Sequence, residues 1–129
     1  MYRRRWRVNQ QVWVRVRTVD DNVAAIYLAF RLNSTVPTDG YLCVLQIELG
    51  VWTARLYRYG TGAEIGLPIS LGVANLLVGD YIGIDAQGPY YTLWFYPTWG
   101  APTSMGQWYD TGILQQGWIG LGGEHVGCV

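Results

Sequence analysis

There is no lysine in this chain: all nine basic residues are arginines, and none lies beyond Arg58. The missing lysine points to no function, but the arginine positions divide the charge. Nine arginines against Asp20, Asp21, Asp39 and Glu48 leave residues 1–58 at about +5 and residues 59–129 at about −5, with a formal net charge of zero. Such halves attract, either within one fold or head to tail between copies. Charged residues make up 14% of the chain, well below the roughly 25% of an average soluble domain. The composition is nevertheless too apolar for disorder. Two cysteines, Cys43 and Cys128, do not make a disulfide-dense scaffold. Cys43 alternates with Tyr41 and Leu45 as a small core residue would, while a bridge from Cys43 to the C-terminal Cys128 is the other option. The longest apolar run, Val23 to Phe30, is too short to span a bilayer. No apolar stretch follows the basic start MYRRRWRVNQ, so no secretory or twin-arginine signal is completed. The expected location is the cytoplasm of the cell that makes the chain, with exit by lysis or within a larger assembly.

What the chain does have is glycine (17 residues) and aromatics (15%), a turn-rich β-type composition. At 129 residues one domain is expected, large enough for a core of its own. Val12 to Thr18 alternate strictly, with Val12, Val14 and Val16 on one face and Trp13, Arg15 and Arg17 on the other. Ala25 to Asn33 follow, with Ile26, Leu28, Phe30 and Leu32 inward and Tyr27, Ala29 and Arg31 outward. Further strands are expected over Tyr41 to Leu49, Thr53 to Tyr59, Tyr81 to Gln87 and Tyr90 to Tyr96. The last ones are Trp108 to Leu114 and Trp118 to Leu121. Residues 63–78 contain Pro68 and two glycines, which argues for a strand fragment and a loop over a helix. About eight strands with frequent turns and no helical period predict an antiparallel sandwich or barrel over residues 12–129, preceded by a basic arm at residues 1–11. Neither an internal repeat nor a low-complexity segment is visible.

The segments GYLCVLQ, WTARLYRYGTG, LLVGDYIGIDAQGPYYTLWFYP and DTGILQQGWIGLGG occur in this order. In that order they resemble the concanavalin A-like lectin and glucanase superfamily, in the laminin-G-like form common in phage tail and virion proteins. Gly40-Tyr41, Leu56-Tyr57-Arg58, Gly79-Asp80 and Gly117 to Leu121 stand where that family opens and closes its strands. The likeness covers roughly residues 12–122 and fails at both ends, where the family's first and last strands are short or missing. Either residues 1–11 and 123–129 replace them, or a neighbouring chain supplies the edge. The resemblance implies an all-β, two-sheet jelly-roll sandwich with a binding or structural role in a virion.

The superfamily's glucanases carry Glu-x-Asp-x-x-Glu on one strand, which sets two carboxyl groups about 5 Å apart for retaining hydrolysis. Nothing here matches: Glu48 has no second acid on its strand, and Asp80 and Asp85 are an odd number of residues apart, on opposite faces. No catalytic residue is therefore assigned, and no enzyme is expected. His125, Glu124 and Cys128 fall short of a tetrahedral metal set. No cofactor is expected, although the resemblance leaves room for calcium at turn residues Asp20, Asp21, Asp39 and Asp110. P-loop, Rossmann and nucleophile motifs are absent. The run Arg3, Arg4, Arg5, Trp6 and Arg7 reads as an assembly arm docking on an acidic neighbour, because no nucleic-acid motif accompanies it.

The remaining feature is a set of aromatics and arginines on the outward phase of their strands. The candidates are Trp13, Tyr27, Arg31, Arg55, Tyr57, Tyr59, Trp94 and Tyr96, with Trp99 and Trp108 from the loop beyond. Flat sugar faces and hydroxyl pairs suit such side chains, and so does a protein interface. Some could equally be covered by loops. The expected partners are thus other virion subunits, copies of the same chain, or cell-surface polysaccharide, with neither nucleic acid nor membrane insertion. A carbohydrate-binding module of a secreted glycan-active protein and a glucanase-like hydrolase stand as alternatives.

Overall fold

The computed structural model describes residues 3–6, 10–19, 25–34, 37–113, 117–124 and 126–128. Residues 3–6, 18–19, 117–124 and 126–128 are described in backbone alone. All regular structure among them is β: β1 (Arg3–Trp6), β2 (Gln10–Val19), β3 (Ala25–Leu32), β4 (Tyr41–Glu48), β5 (Val51–Arg58), β6 (Glu64–Ser70), β7 (Tyr81–Gln87), β8 (Tyr90–Tyr96), β9 (Thr103–Tyr109), β10 (Gly117–Glu124) and β11 (Val126–Cys128). Every pairing is antiparallel. One sheet runs β1-β10-β3-β4-β5-β6 and the other β11-β2-β7-β8-β9.

Period-two alternation drives the two sheets together. Val12, Val14 and Val16 of β2, and Ile82 and Ile84 of β7, bury against Ile26, Leu28 and Phe30 of β3 and Tyr41, Cys43 and Leu45 of β4. Each aliphatic side chain fully buried in this way contributes about 1.5–3 kcal/mol of transfer free energy. Cys43 lies wholly inside as a free thiol, so the alternative bridge to Cys128 is not made, and burial pushes its pKa up. Two-residue turns set the hairpin registers. Glu48 pairs with Val51 across Leu49-Gly50, whose φ angles of 52° and 83° are those of a type I′ turn. Gln87 pairs with Tyr90 across Gly88-Pro89, a two-residue turn.

Several expectations change. The stretch read as a basic arm contributes β1, which pairs with β10 through Arg3↔Gly120 to Trp6↔Gly117, and β2 begins at Gln10. Chain segments at both ends thus occupy sheet edges, β11 lying beside β2. Residues 63–78 hold a strand and a loop as expected, the strand being β6, with a register shift between Ala54 and Leu56 of its partner. The expected loop before Trp108 is mostly β9, with a bulge at Met105 where β8 passes from Leu93 to Trp94. β6 and β9 close one side of the sandwich: the Trp108 indole N–H donates to the Leu67 carbonyl at 2.8 Å.

Candidate functional site

The outer face of the five-stranded sheet is built in rows by strand register. Trp13, Gly83 and Trp94 stand side by side on β2, β7 and β8, and the next row along holds Arg15, Tyr81 and Tyr96. In the opposite direction come Gln11, Asp85, Thr92 and Gln107, then Gln87, Tyr90 and Tyr109. The side chains between these rows turn inward and are buried, the aliphatic Val12, Val14, Ile82, Ile84 and Leu93 together with Tyr91, Phe95 and Trp108, so strand phase decides which aromatics face outward.

Glycine at 83 makes the central row possible. A Cβ at that position would stand 2.4 Å from Cδ2, 2.5 Å from Cε3 and 2.7 Å from Cε2 of Trp13, so the indole lies flat on the strand backbone. Two shallow grooves flank this row. The first, of about 510 Å³, is lined by Trp13, Arg15, Gly79, Tyr81, Tyr96, Pro97 and Thr98. The second, of about 320 Å³, is lined by Asp85, Gln87, Tyr90, Thr92, Trp94 and Gln107. In the first, the Arg15 guanidinium sits 5.9 Å from the centre of the Tyr81 ring, and the Tyr81 and Tyr96 rings are 6.2 Å apart at 55°. In the second, Gln87 donates to Asp85 at 3.0 Å and Gln107 to Thr92 at 3.0 Å.

The wall of the first groove is fixed by Asp80, which is buried. Its carboxylate accepts from the Leu77 amide at 2.8 Å, from the Thr98 amide at 2.7 Å and from the Thr98 hydroxyl at 2.8 Å. Its own carbonyl accepts from the Val16 amide at 2.8 Å. The Gly79-Asp80 pair, singled out as a strand opener, thus joins the turn after β8 to the start of β7.

The candidates named from sequence do not form one surface. Trp13, Trp94 and Tyr96 belong to the face just described, whereas Tyr27, Arg55 and Tyr57 lie on β3 and β5 of the other sheet. Arg55 is held by two acids, donating to Glu48 at 2.7 and 2.9 Å and to Glu64 at 2.8 and 2.9 Å. The Arg55 fork keeps the Glu48 carboxyl below its ordinary pKa. Tyr59 follows β5, exposed, its amide bonded to the Gly40 carbonyl. Trp99 is 89% exposed on the turn after β8. Side chains of Arg3, Arg4, Arg5 and Trp6, and all of Arg7, Asp20, Asp21 and His125, lie outside the described residues.

Two candidates are buried, contrary to expectation. Trp108 points inward because the bulge at Met105 shifts the phase of β9, which pairs Trp108 with the buried Tyr91. Arg31 is 1% exposed because its φ of 49° interrupts the alternation of β3. Phe30 and Arg31 together face Ile119 in a bulge, between the pairs Leu32↔Trp118 and Ala29↔Gly120. The turned-in guanidinium donates to the Tyr91 hydroxyl and the Gly88 carbonyl at 2.7 Å, and to the Ile113 carbonyl at 2.9 Å. Beside it, the Tyr41 hydroxyl donates to Asp110 and accepts from the Ile113 amide at 3.0 Å. Burial, then the hydrogen bond to Asp110, push the Tyr41 pKa up.

Asp39 and Asp110, two of the aspartates considered for calcium, both face Arg58: Asp39 accepts at 2.7 and 2.9 Å, and Asp110 lies 3.9 Å away. Among the described residues no three His, Cys, Asp or Glu side chains gather as metal ligands. Tyr81, Tyr90 and Gln107 complete the groove face although the sequence reading did not select them. Their signal was even spacing, since Tyr81 shares the phase of Asp85, and Tyr90 that of Trp94. No family model matches the chain, and no curated protein matches it in sequence.

Proposed function

We propose that this chain is a non-enzymatic, lectin-like sandwich of the jelly-roll, concanavalin A-like kind, serving as a virion structural or attachment protein that binds glycan. The observation that carries the binding role is the row Trp13-Gly83-Trp94, two indoles of which one lies on the Gly83 backbone, with a groove on either side. Aromatic rings of this kind take the C–H faces of sugars, while Gln87, Thr92 and Gln107 offer amides and a hydroxyl to sugar hydroxyls. Hydrolysis is disfavoured because Asp85 is the sole carboxylate on this face among the described residues, and glycosidases use two. The jelly-roll reading draws on the path of the chain, which enters one sheet at β3–β6, crosses to β7–β9 and returns as β10 beside β3. The virion setting draws on the motif resemblance.

Trp94→Ala tests the binding role. Retention on a polysaccharide array is expected to disappear while the melting temperature stays near that of the unaltered chain. No retention of the intact chain by any glycan overturns the proposal.

A second reading, assembly with copies or other virion subunits, has its own observation: among the described residues β1 stands last in its sheet, paired with β10 alone. An open strand edge is a template for another chain. Light scattering that finds a multimer, lost on removal of residues 1–7, supports it, and a monodisperse monomer at micromolar concentration refutes it.

A further inference from the structure

We infer that the glycan bound on the five-stranded sheet carries carboxylates, and that Arg15 is the residue that reads them; this rests on the glycan-binding reading above. The arginines differ in what they already face. Arg55 grips Glu48 and Glu64, Arg58 grips Asp39, and Arg31 is buried against Tyr91 and two carbonyls. Arg15 and Arg17 are exposed on β2 and make no ion pair among the described residues. They stand at one end of the face, and the sole acid of that face, Asp85, stands in the groove at the other end, bonded by Gln87. The face is therefore positively biased on the side of its larger groove.

Arg15 is placed to use its charge. Its guanidinium sits against the Tyr81 ring at 5.9 Å, within the range of a cation–π contact. That contact orients the planar fork at the groove edge, where its N–H groups match the two oxygens of a carboxylate. Trp13 and Tyr96 line the same groove, so an acidic sugar could stack on a ring while its carboxylate meets Arg15. From Tyr81 to Gln87 the strand runs about 20 Å at roughly 3.3 Å per residue, a length for a chain of sugars and not a single ring. Binding is consequently directional: acidic sugar at the Arg15 end, hydroxyl-rich neutral sugar toward Gln107. The two arginines exposed on this face among the described residues are too few for the phosphate-tracking groove of a single-strand nucleic-acid binder.

The test is calorimetric titration of the full chain with oligogalacturonate, hyaluronan and polysialic acid, each beside its methyl-esterified counterpart, and with oligothymidylate. At least one acid is expected to bind on the order of tenfold more tightly than its ester. That advantage should shrink as sodium chloride rises. Arg15→Gln, its fold checked by melting temperature, is expected to bring the acid down to the level of the ester. Equal binding of acids and esters overturns the inference while leaving the glycan reading in place, as does an Arg15→Gln variant that keeps the preference. Failure of every acid and every ester overturns the inference, and only the further absence of retention on the polysaccharide array overturns the glycan reading as well. Oligothymidylate bound more tightly than all the acids replaces the glycan by a nucleic acid.

Discussion

Trp13 rests on Gly83 so closely that a single methyl group at residue 83 would lie 2.4 Å from the indole. The contact joins β2 to β7 on the outer face and sets the tilt of the ring beside Trp94. Gly83→Ala is therefore expected to destabilise the fold by about 1–3 kcal/mol, the usual penalty of overpacking, and to weaken glycan retention by displacing the ring. In a Trp13→Ala background the same change should be close to neutral. A double-mutant cycle by urea unfolding measures the coupling, and additive effects would refute the contact.

A second prediction concerns Tyr91, whose hydroxyl accepts from Arg31 and donates to the Ile113 carbonyl at 3.0 Å. Tyr91→Phe keeps the ring between Phe30 and Tyr41 but removes both bonds. A loss of about 1–3 kcal/mol is expected, the cost of leaving buried polar groups short of a partner. The denaturant midpoint reads it, with the slope unchanged. A midpoint equal to that of the parent would mean that water or a shift of Arg31 repairs the network.

Acid should weaken the fold through Asp39 and Glu48. Both carboxyl groups are held below their ordinary values of 3.8 and 4.5, first of all by hydrogen bonds from Arg58 and Arg55. The unfolded chain thus binds these protons before the folded one does. Stability from these pairs is complete above the ordinary values and is lost as pH falls through the depressed ones. Melting temperatures are expected to decline below about pH 4.5, and Arg58→Gln should remove the share due to Asp39. An identical acid profile in that variant would contradict the assignment. Because both pairs are well hydrated, salt should flatten the profile.

Much of the architecture could be read from alternation. The buried Val12, Val14 and Val16 against the outward Trp13, Arg15 and Arg17 are visible in seven letters of sequence. Alternation gives the face of a residue, but not the sheet its strand joins. Tyr57 and Trp94 share an outward phase yet sit on different sheets, because partner choice depends on long-range register. Arg31 could not be placed by period two, since one left-handed residue reverses the pattern. Trp108 was misplaced because the polar start of β9, Thr103 and Ser104, has a loop-like composition. Gly83 gave a signal that went unused: a glycine in mid-strand commonly marks the close approach of another group.

Asp80 ties the turn after β8 to the segment that leads into β7, and both border the larger groove. One buried carboxylate therefore makes that wall a single mechanical part, assembled when the chain folds and not when a ligand arrives. A preorganised wall lowers the ordering cost of association and needs no slow rearrangement before contact. Differences among ligands should then appear chiefly as residence times, with arrival rates nearly constant across them.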